Sequence, residues 1–153
     1  GSEEAKQYNW ICLDTMTEIA NSILEENLEK IRDGRQAYGE TIKTVSKMVA
    51  SFRDLPKHVY MAFQSSKRQL DTGAMMYTPE LPGKVLPGQI ARDLDELLVL
   101  RVAQQQKENG QVDVKRWLQC HADGVYEAKD RSGALDIYEA PSLEIIKQKI
   151  LGE

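Results

Sequence analysis

The sequence predicts an α/β fold with parallel strands, followed by a C-terminal antiparallel hairpin region. In its first part, short apolar runs typical of strands buried on both faces alternate with helical patterns, and strands joined through helices pair in parallel. The later part carries two turn signals typical of hairpins, Asn109-Gly110 and Asp123-Gly124. The chain has 153 residues, 41% of them hydrophobic, which is enough for one domain with a buried core, predicted over residues 3–153.

The first predicted strand is residues 9–14, an apolar run that stops at Asp14. Directly after it, Thr15 and Glu18 have the spacing of a capping box, in which the hydroxyl accepts a hydrogen bond from the N–H group three residues on. A helix therefore begins here. Its apolar residues recur at helical spacing, and Gly34 is predicted to end it in a left-handed conformation.

A second helix is indicated by five apolar residues on one helical stripe, namely Ile42, Val45, Met48, Val49 and Phe52. The next buried strand, residues 58–64, ends in Gln64. Residues 67–88 are rich in Pro and Gly and lack periodicity, so they are predicted to form a long functional or mobile loop. A short helix at 89–94 and a third parallel strand at 97–103 complete the predicted core.

The C-terminal region is predicted to hold a hairpin at Asn109-Gly110 and a further strand at 125–129, which follows the second turn signal. Pro141 and Ser142 then have the pattern of a helix start, and the isoleucines behind them give a short amphipathic helix.

Composition excludes some classes of protein. Lys and Arg total 20 against 24 for Asp and Glu, a formal net charge of -4, so a globally basic nucleic-acid-binding surface is excluded while a local basic loop is not. No apolar run approaches the roughly 20 residues of a membrane span. Cys12 and Cys120 lie far apart without metal-ligand spacing, so we expect reduced structural thiols in a reducing, cytoplasmic compartment. Gly1 and Ser2 are interpreted as the remnant of a cleaved tag.

Asp14 and Gln64 are the first candidate site residues, because both follow predicted parallel strands. In open α/β sheets ligands bind beyond the carboxyl ends of the strands, where a carboxylate can hold Mg²⁺ and an amide can contact a phosphate oxygen or an attacking water. An ordinary helix start and a solvated strand end are the alternatives.

Lys129 and Arg131 are the second candidate pair. Residues two apart on an extended segment point to the same side, so both cations can reach one polyphosphate, and Gly133 allows a sharp turn behind them. An exposed turn of the same composition is the alternative.

The order of these parts resembles the C-terminal portion of phage-encoded RecA-like P-loop ATPases, the nucleotide-binding proteins grouped with single-strand annealing and recombination. The resemblance runs from about Tyr8 to Leu151 and is carried by four stretches: Ile11-Cys12-Leu13-Asp14-Thr15 with Thr17-Glu18-Ile19, Arg35 to Glu40, Phe52 to Pro56, and Tyr126 to Gly133. The last is similar to the Lys-x-Arg finger with which hexameric RecA-type motors reach the nucleotide of a neighbouring subunit. The resemblance implies a partial RecA-like three-layer core.

The resemblance also implies roles for the candidates. Asp14 would be the Walker B carboxylate in the shell of the Mg²⁺ that accompanies ATP, with Thr15 beside it, and Gln64 would sense the γ-phosphate. Lys129 and Arg131 would act in trans on the transferred phosphoryl group. The loop 67–88 would face single-stranded DNA, with Lys67, Arg68 and Lys84 for phosphates and Tyr77 for base stacking. A flexible solvated loop is the alternative.

One departure from that family is decisive for activity. A P-loop needs a Gly-rich turn ending in Gly-Lys-Ser/Thr, and the single Gly-Lys pair here, Gly83-Lys84, is followed by Val85. We expect the P-loop half of the parent protein to lie on a segment outside this chain, and we expect the chain alone not to hydrolyse ATP. Loss of the P-loop strand would also leave sheet edges unpaired, which predicts a homo-oligomer or an altered sheet.

The sequence is also compatible with two other functions. One is a non-catalytic protein-interaction or assembly module that uses the strand edges and hairpins of an α/β scaffold. The other is a small-molecule enzyme that combines Asp14 with His58 or His121, although neither histidine shows triad or metal spacing.

Overall fold

A computed structural model of the protein describes residues 6–70, 72–106 and 109–152. Helices, parallel strands and antiparallel strands are all present, which confirms the predicted α/β class. The chain divides into two compact units. The N-terminal unit comprises residues up to 67 together with Thr78–Leu94, and the C-terminal unit comprises Arg68–Tyr77 together with the residues from 95 onward. The single domain over 3–153 remains a prediction.

The N-terminal unit is built on one pair of parallel strands. Strand β1 (Trp10–Leu13) pairs with β2 (His58–Met61), residue for residue from one end to the other. Helix α1 (Met16–Lys30) begins directly after β1, where the Thr15 hydroxyl accepts a 3.3 Å hydrogen bond from the N–H of Glu18. The predicted parallel pairing and the predicted helix start are both confirmed.

The predicted end of the first helix is wrong. Helix α1 ends at Lys30, and Gly34 is the first residue of helix α2 (Gly34–Arg53). The Asp33 carboxylate accepts a 2.8 Å hydrogen bond from the N–H of Arg35, so it satisfies one of the unpaired N–H groups at the start of α2. The glycine therefore belongs to a helix start capped by its neighbour, and it does not adopt a left-handed conformation.

Half of the segment 67–88, predicted to be one long loop, is strand or helix. Strand β3 (Ser65–Gln69) pairs with β4 (Met75–Pro79), and helix α3 (Leu86–Asp93) begins three residues before the predicted helix at 89–94. The residues of β3 are all polar and lack apolar alternation, so the sequence carries no signal for this strand.

The core of the N-terminal unit joins both long helices to the segment around α3. It consists of buried residues from α1, from α2 and from residues 81–90, namely Met16, Ala20, Val45, Val49, Leu81, Leu86 and Ile90. Helix α1 packs on α2, and α2 packs on α3. The prolines and glycines that made 79–88 look like a loop thus lie among residues that anchor it to the core.

From residue 95 onward, the strands of the C-terminal unit pair in antiparallel fashion. Its strands are β5 (Glu96–Leu97), β6 (Val99–Gln106), β7 (Val112–Gln119), β8 (Lys129–Asp130) and β9 (Tyr138–Glu139). The order in one sheet is β6-β7-β9, and β5 pairs with β8, all in antiparallel fashion. The predicted hairpin region is confirmed, but the third parallel strand at 97–103 is wrong. Gly110, with φ +81°, lies in the tight connection that returns the chain beside β6, which requires an antiparallel partner.

The predicted strand at 125–129 is shorter than expected, since only Lys129 belongs to a strand and Tyr126 makes an isolated bridge to Tyr77. Helix α4 (Leu143–Leu151) closes the unit, and the Ser142 hydroxyl caps it by accepting a hydrogen bond from the N–H of Ile145. A small core packs beneath it, formed by Cys120, Leu135 and Ile146.

Cys12 is exposed, Cys120 is buried, and both are free thiols as predicted. Across the described ranges, none of the helices combines the length and the apolar character that crossing a bilayer demands.

Candidate functional site

Asp14 and Gln64 follow the carboxyl ends of two neighbouring parallel strands. The hydrogen bonding of β1 and β2 continues past their last paired residues, because the N–H of Ala62 donates to the carbonyl of Leu13 at 2.9 Å and the N–H of Met16 donates to the carbonyl of Ala62 at 2.8 Å. Both candidate side chains are exposed at this edge of the sheet. The N-terminal unit therefore brings them to one edge, while their functional roles remain predictions.

Thr17 fixes the backbone at this edge, although no predicted role was assigned to it. Its hydroxyl accepts a 3.0 Å hydrogen bond from the N–H of Gln64 and donates a 2.8 Å hydrogen bond to the carbonyl of Glu80. The carbonyl of Gln64 accepts a 2.8 Å hydrogen bond from the N–H of Glu80. Thr17 is 1% exposed, so this buried side chain connects the start of α1 to the segments at Gln64 and Glu80.

The sequence could not reveal that role, because the partners of Thr17 lie 47 and 63 residues away along the chain. The local signal in the sequence is a hydroxyl residue two positions after the predicted helix start at Thr15.

Thr15, the predicted neighbour of the metal site, is the N-cap of α1. The peptide bond between Asp14 and Thr15 is cis. Within the described part of the chain, no three His, Cys, Asp or Glu side chains cluster in a way that could hold a metal ion.

Lys129 and Arg131 lie in the C-terminal unit. Lys129 lies opposite Leu97 in the β5–β8 pair, and Arg131 follows directly after β8. The guanidinium of Arg131 donates a 2.7 Å hydrogen bond to the carboxylate of Asp95, and both of these side chains are more than half exposed. The finger segment, residues 129–135, thus presents an arginine that is paired at the surface within its own chain.

Two acidic side chains organise the main chain of the finger segment. Glu96 accepts hydrogen bonds from the N–H groups of Arg131 and Ser132, at 3.2 and 3.3 Å. Asp130 accepts from the Ser132 hydroxyl at 2.6 Å and from the N–H groups of Gly133 and Leu135 at 3.1 and 2.9 Å. Gly133 has φ +70°, so the tight turn that these bonds close favours a residue without a Cβ atom.

Glu96 and Asp130 also face each other across the β5–β8 pair and share a side-chain hydrogen bond. Burial raises the pKa of Glu96 to about 7, and the hydrogen bond to Asp130 and its negative charge act in the same direction. Burial also acts to raise the pKa of Asp130, but hydrogen bonds from Ser132, Leu135, Glu96 and Gly133 outweigh it and hold that pKa at about 2. Glu96 is therefore the member of the pair that keeps a proton in weakly acidic solution.

The four predicted DNA contacts are spread over both units. Lys67 and Arg68 lie on β3, Tyr77 lies on β4, and Lys84 is exposed in the segment before α3. The ring of Tyr77 stacks on the ring of Tyr126, with centroids 4.8 Å apart and planes 13° apart. One face of the predicted base-stacking residue is therefore covered by another aromatic ring.

His58 is not placed for catalysis with Asp14, and His121 lies in the other unit of the chain. His58 is at the amino end of β2, opposite Trp10, whereas Asp14 follows the carboxyl end of β1, about 13 Å further along the strands. His121 belongs to the C-terminal unit, where its Nε2 lies 3.2 Å from the carbonyl oxygen of Leu135.

Comparison with known proteins identifies a family. The family model described as an AAA domain matches residues 2–132, which is most of the chain. No match was found among curated proteins or among solved structures.

Replacing Thr17 with Val should destabilise the protein by about 1–3 kcal/mol, because the N–H of Gln64 and the carbonyl of Glu80 both lose a buried partner. Thr17→Ser keeps the hydroxyl and should recover most of that loss. Urea denaturation measures both, with Thr44→Val at an exposed position of α2 as the control. Equal stability of the Thr17→Val and Thr44→Val variants would contradict the role assigned to this hydroxyl.

The raised pKa of Glu96 predicts a pH dependence of stability. The folded state holds this proton up to about pH 7, whereas the unfolded state releases it near its ordinary value of 4.5, so the stabilisation is complete below 4.5 and lost as the pH rises to 7. Glu96→Gln imitates the protonated carboxyl group and should flatten the fall in unfolding free energy over that window. Urea denaturation at several pH values compares it with the wild type and with Glu25→Gln on α1. Parallel pH curves for the wild type and Glu96→Gln would refute the assignment.

Proposed function

The chain belongs to the AAA domain family, and we propose that it supplies the Mg²⁺-coordinating, sensing and trans-acting parts of a phage RecA-like ATPase that works on single-stranded DNA in recombination or replication. Family membership gives an ATPase-type, nucleotide-binding domain. The observation that carries the finer proposal is the parallel pairing of β1 with β2, since it brings Asp14 and Gln64 to the edge where α/β sheets bind ligands.

The oxygen donors beside β1 suit the proposed metal. Mg²⁺ is usually held by one or two carboxylates together with water and substrate phosphates, so a single exposed carboxylate, that of Asp14, is sufficient from this chain. When bound, the ion would neutralise charge on the β- and γ-phosphates. Thr15 stands beside Asp14 at the start of α1.

Gln64 is proposed to sense the γ-phosphate or orient the attacking water. A neutral amide can donate to a phosphate oxygen and accept from water, so its position changes with hydrolysis. Support comes from the backbone of Gln64, whose N–H donates to the Thr17 hydroxyl and whose carbonyl accepts from the N–H of Glu80. A held backbone restricts where the amide can reach, as a sensor requires.

Lys129 and Arg131 are proposed to act in trans on the nucleotide of a neighbouring subunit. Cations placed where charge develops on the transferred phosphoryl group contribute on the order of 10³–10⁵ in rate in arginine-finger enzymes. This role requires a homo-oligomer with a heterologous contact, in which the finger of one copy meets the Asp14 edge of the next.

The phosphate cradle is proposed to come from a segment outside residues 1–153, because the sequence contains no Gly-x-x-x-x-Gly-Lys-Ser/Thr pattern. ATP and Mg²⁺ would then bind between that segment and Asp14, in the cytoplasm of the host cell. This chain contributes the carboxylate, the amide and the finger, and the cradle contributes the backbone N–H groups that bind the phosphates.

A second candidate is a non-catalytic interaction or assembly module, which one surface favours. The register of β6 and β7 puts four exposed aliphatic side chains on one face of the hairpin, those of Leu100, Val102, Val112 and Val114. Apolar side chains grouped in this way are typical of surfaces that contact another protein. Such a module would not need Asp14 or Arg131.

A mixing experiment tests the trans arrangement. In the assembly that contains the cradle, Asp14→Asn should abolish metal-dependent turnover, and Arg131→Ala should lower kcat on the order of 10³-fold while ATP still binds. A 1:1 mixture of these two inactive variants should regain about a quarter of wild-type turnover, since each active site needs an intact Asp14 from one copy and an intact Arg131 from its neighbour.

ATP hydrolysis is the readout for the mixture, and Glu144→Ala on α4 is the control for loss of a surface charge in the C-terminal unit. A mixture no more active than its components would refute action in trans. Full activity of each single variant would favour the interaction module.

The proposed DNA surface predicts a salt-dependent effect. Replacing Lys67 and Arg68 together with Ala should weaken binding to a labelled oligothymidylate, and the slope of log affinity against log salt should fall by about 1.4, or about 0.7 for each cation lost. The matched control removes two cations from α2, Lys43 and Lys47. Fluorescence anisotropy measures both variants. If they bind equally well, the strand β3 is not part of a DNA-binding surface.

A further inference from the structure

The finger segment is held by its main chain in one place and by its arginine side chain in another. Glu96 accepts the N–H groups of Arg131 and Ser132, and the carbonyl of Asp95 lies 3.3 Å from the N–H of Arg131. The Asp95 carboxylate holds the guanidinium. The backbone at Arg131 is therefore fixed independently of where its side chain points.

The far side of the finger segment is anchored to the core of the C-terminal unit. Asp130 accepts the N–H of Leu135 at 2.9 Å, and the side chain of Leu135 is buried against Cys120 and Ile146. Asp130 is in turn paired with Glu96. One network of carboxyl groups thus connects the turn at Gly133 with β5 on one side and with the core on the other.

The ion pair that holds the arginine side chain is exposed to solvent. Asp95 and Arg131 are 62% and 54% exposed, and exposed ion pairs contribute only about 0–1 kcal/mol. A phosphate offers the guanidinium two oxygens in bidentate geometry, which is the stronger arrangement. Exchange from Asp95 to a phosphate therefore requires rotation of the side chain without rearrangement of the loop.

Because the backbone and the guanidinium of Arg131 are held by different side chains, we infer that Glu96 is a positioning residue for the Arg131 finger. This inference rests on the proposed function and adds to it a residue that touches neither nucleotide nor metal. Glu96 acts by holding the main chain of residues 131 and 132 in the geometry from which the guanidinium reaches the neighbouring subunit. Asp95 holds the guanidinium until it exchanges to a phosphate of that subunit's nucleotide.

Three variants of Glu96 separate positioning from general stability. Glu96→Ala removes both acceptors and should lower kcat for ATP on the order of 10²-fold with KM within about twofold of wild type, because a misplaced catalytic group loses rate without loss of substrate binding. Glu96→Gln keeps one of the two acceptor oxygens and can donate to Asp130, so it should retain more of kcat than Glu96→Ala. Glu96→Asp, shorter by one methylene, should fall between them, and it replaces Glu96→Ala if that variant unfolds.

A double-mutant cycle with Arg131→Ala is the decisive measurement. If Glu96 acts through the finger, Glu96→Ala should lower kcat no further in a chain that already lacks the arginine. A loss of kcat in the double variant equal to the product of the two single losses would overturn the inference and leave the proposed function intact. An unchanged kcat in Glu96→Ala would do the same. Unchanged kcat in Arg131→Ala alone would instead remove the finger, and the positioning role would fall with it.

Amide hydrogen exchange gives a readout that does not depend on ATP hydrolysis. In this chain, the N–H groups of Arg131 and Ser132 should exchange faster in Glu96→Ala than in the wild type, while Glu96→Gln, whose amide nitrogen cannot accept a hydrogen bond, should keep the protection of only one of them. Glu144→Ala is the control, since it removes an exposed carboxylate of the same unit. Equal protection in Glu96→Ala and in the control would show that Glu96 does not hold this backbone, and would overturn the inference.

Discussion

The parallel pairing of β1 with β2 is the constraint on which the candidate site depends. Parallel strands present their carboxyl ends at the same edge, so two residues far apart in sequence, Asp14 and Gln64, emerge at one edge of the sheet. The ladder continues through Ala62 and ends in the buried hydroxyl of Thr17, which gives this edge a fixed backbone. An antiparallel pair would have sent the two side chains to opposite ends of the sheet.

Buried and exposed polar groups have different functions in the two units. In the N-terminal unit a single neutral hydroxyl inside the protein satisfies two backbone groups, and this arrangement is rigid because either group alone would be costly to leave unpaired. In the C-terminal unit, carboxyl groups hold a turn whose arginine remains at the surface. Under the proposed function, a held backbone with an exposed guanidinium is the arrangement that a trans-acting arginine needs.

Several elements show how far local patterns determine this fold. The helix start at Thr15, the helix start at Ser142, the first two parallel strands and the hairpin at Asn109-Gly110 were predicted correctly, because each depends on residues within a few positions of one another. The strand at Ser65–Gln69 was missed, since its pairing partner supplies a stability that its own polar residues do not indicate. The third strand was predicted in the wrong direction, because an apolar run does not specify which neighbour it pairs with.

By itself the sequence determined the α/β class, the helix starts at Thr15 and Ser142 and the turn at Asn109-Gly110, and it supplied the predictions of side chains for metal, phosphate and DNA. Only the tertiary structure decided that Thr17 holds Gln64 and that Glu96 holds the finger segment, because these contacts join residues about 35 or more positions apart. Hydrogen bonds between distant segments form only after the chain has folded around its core, and the apolar residues that bring the segments together carry no information about which polar atoms will meet.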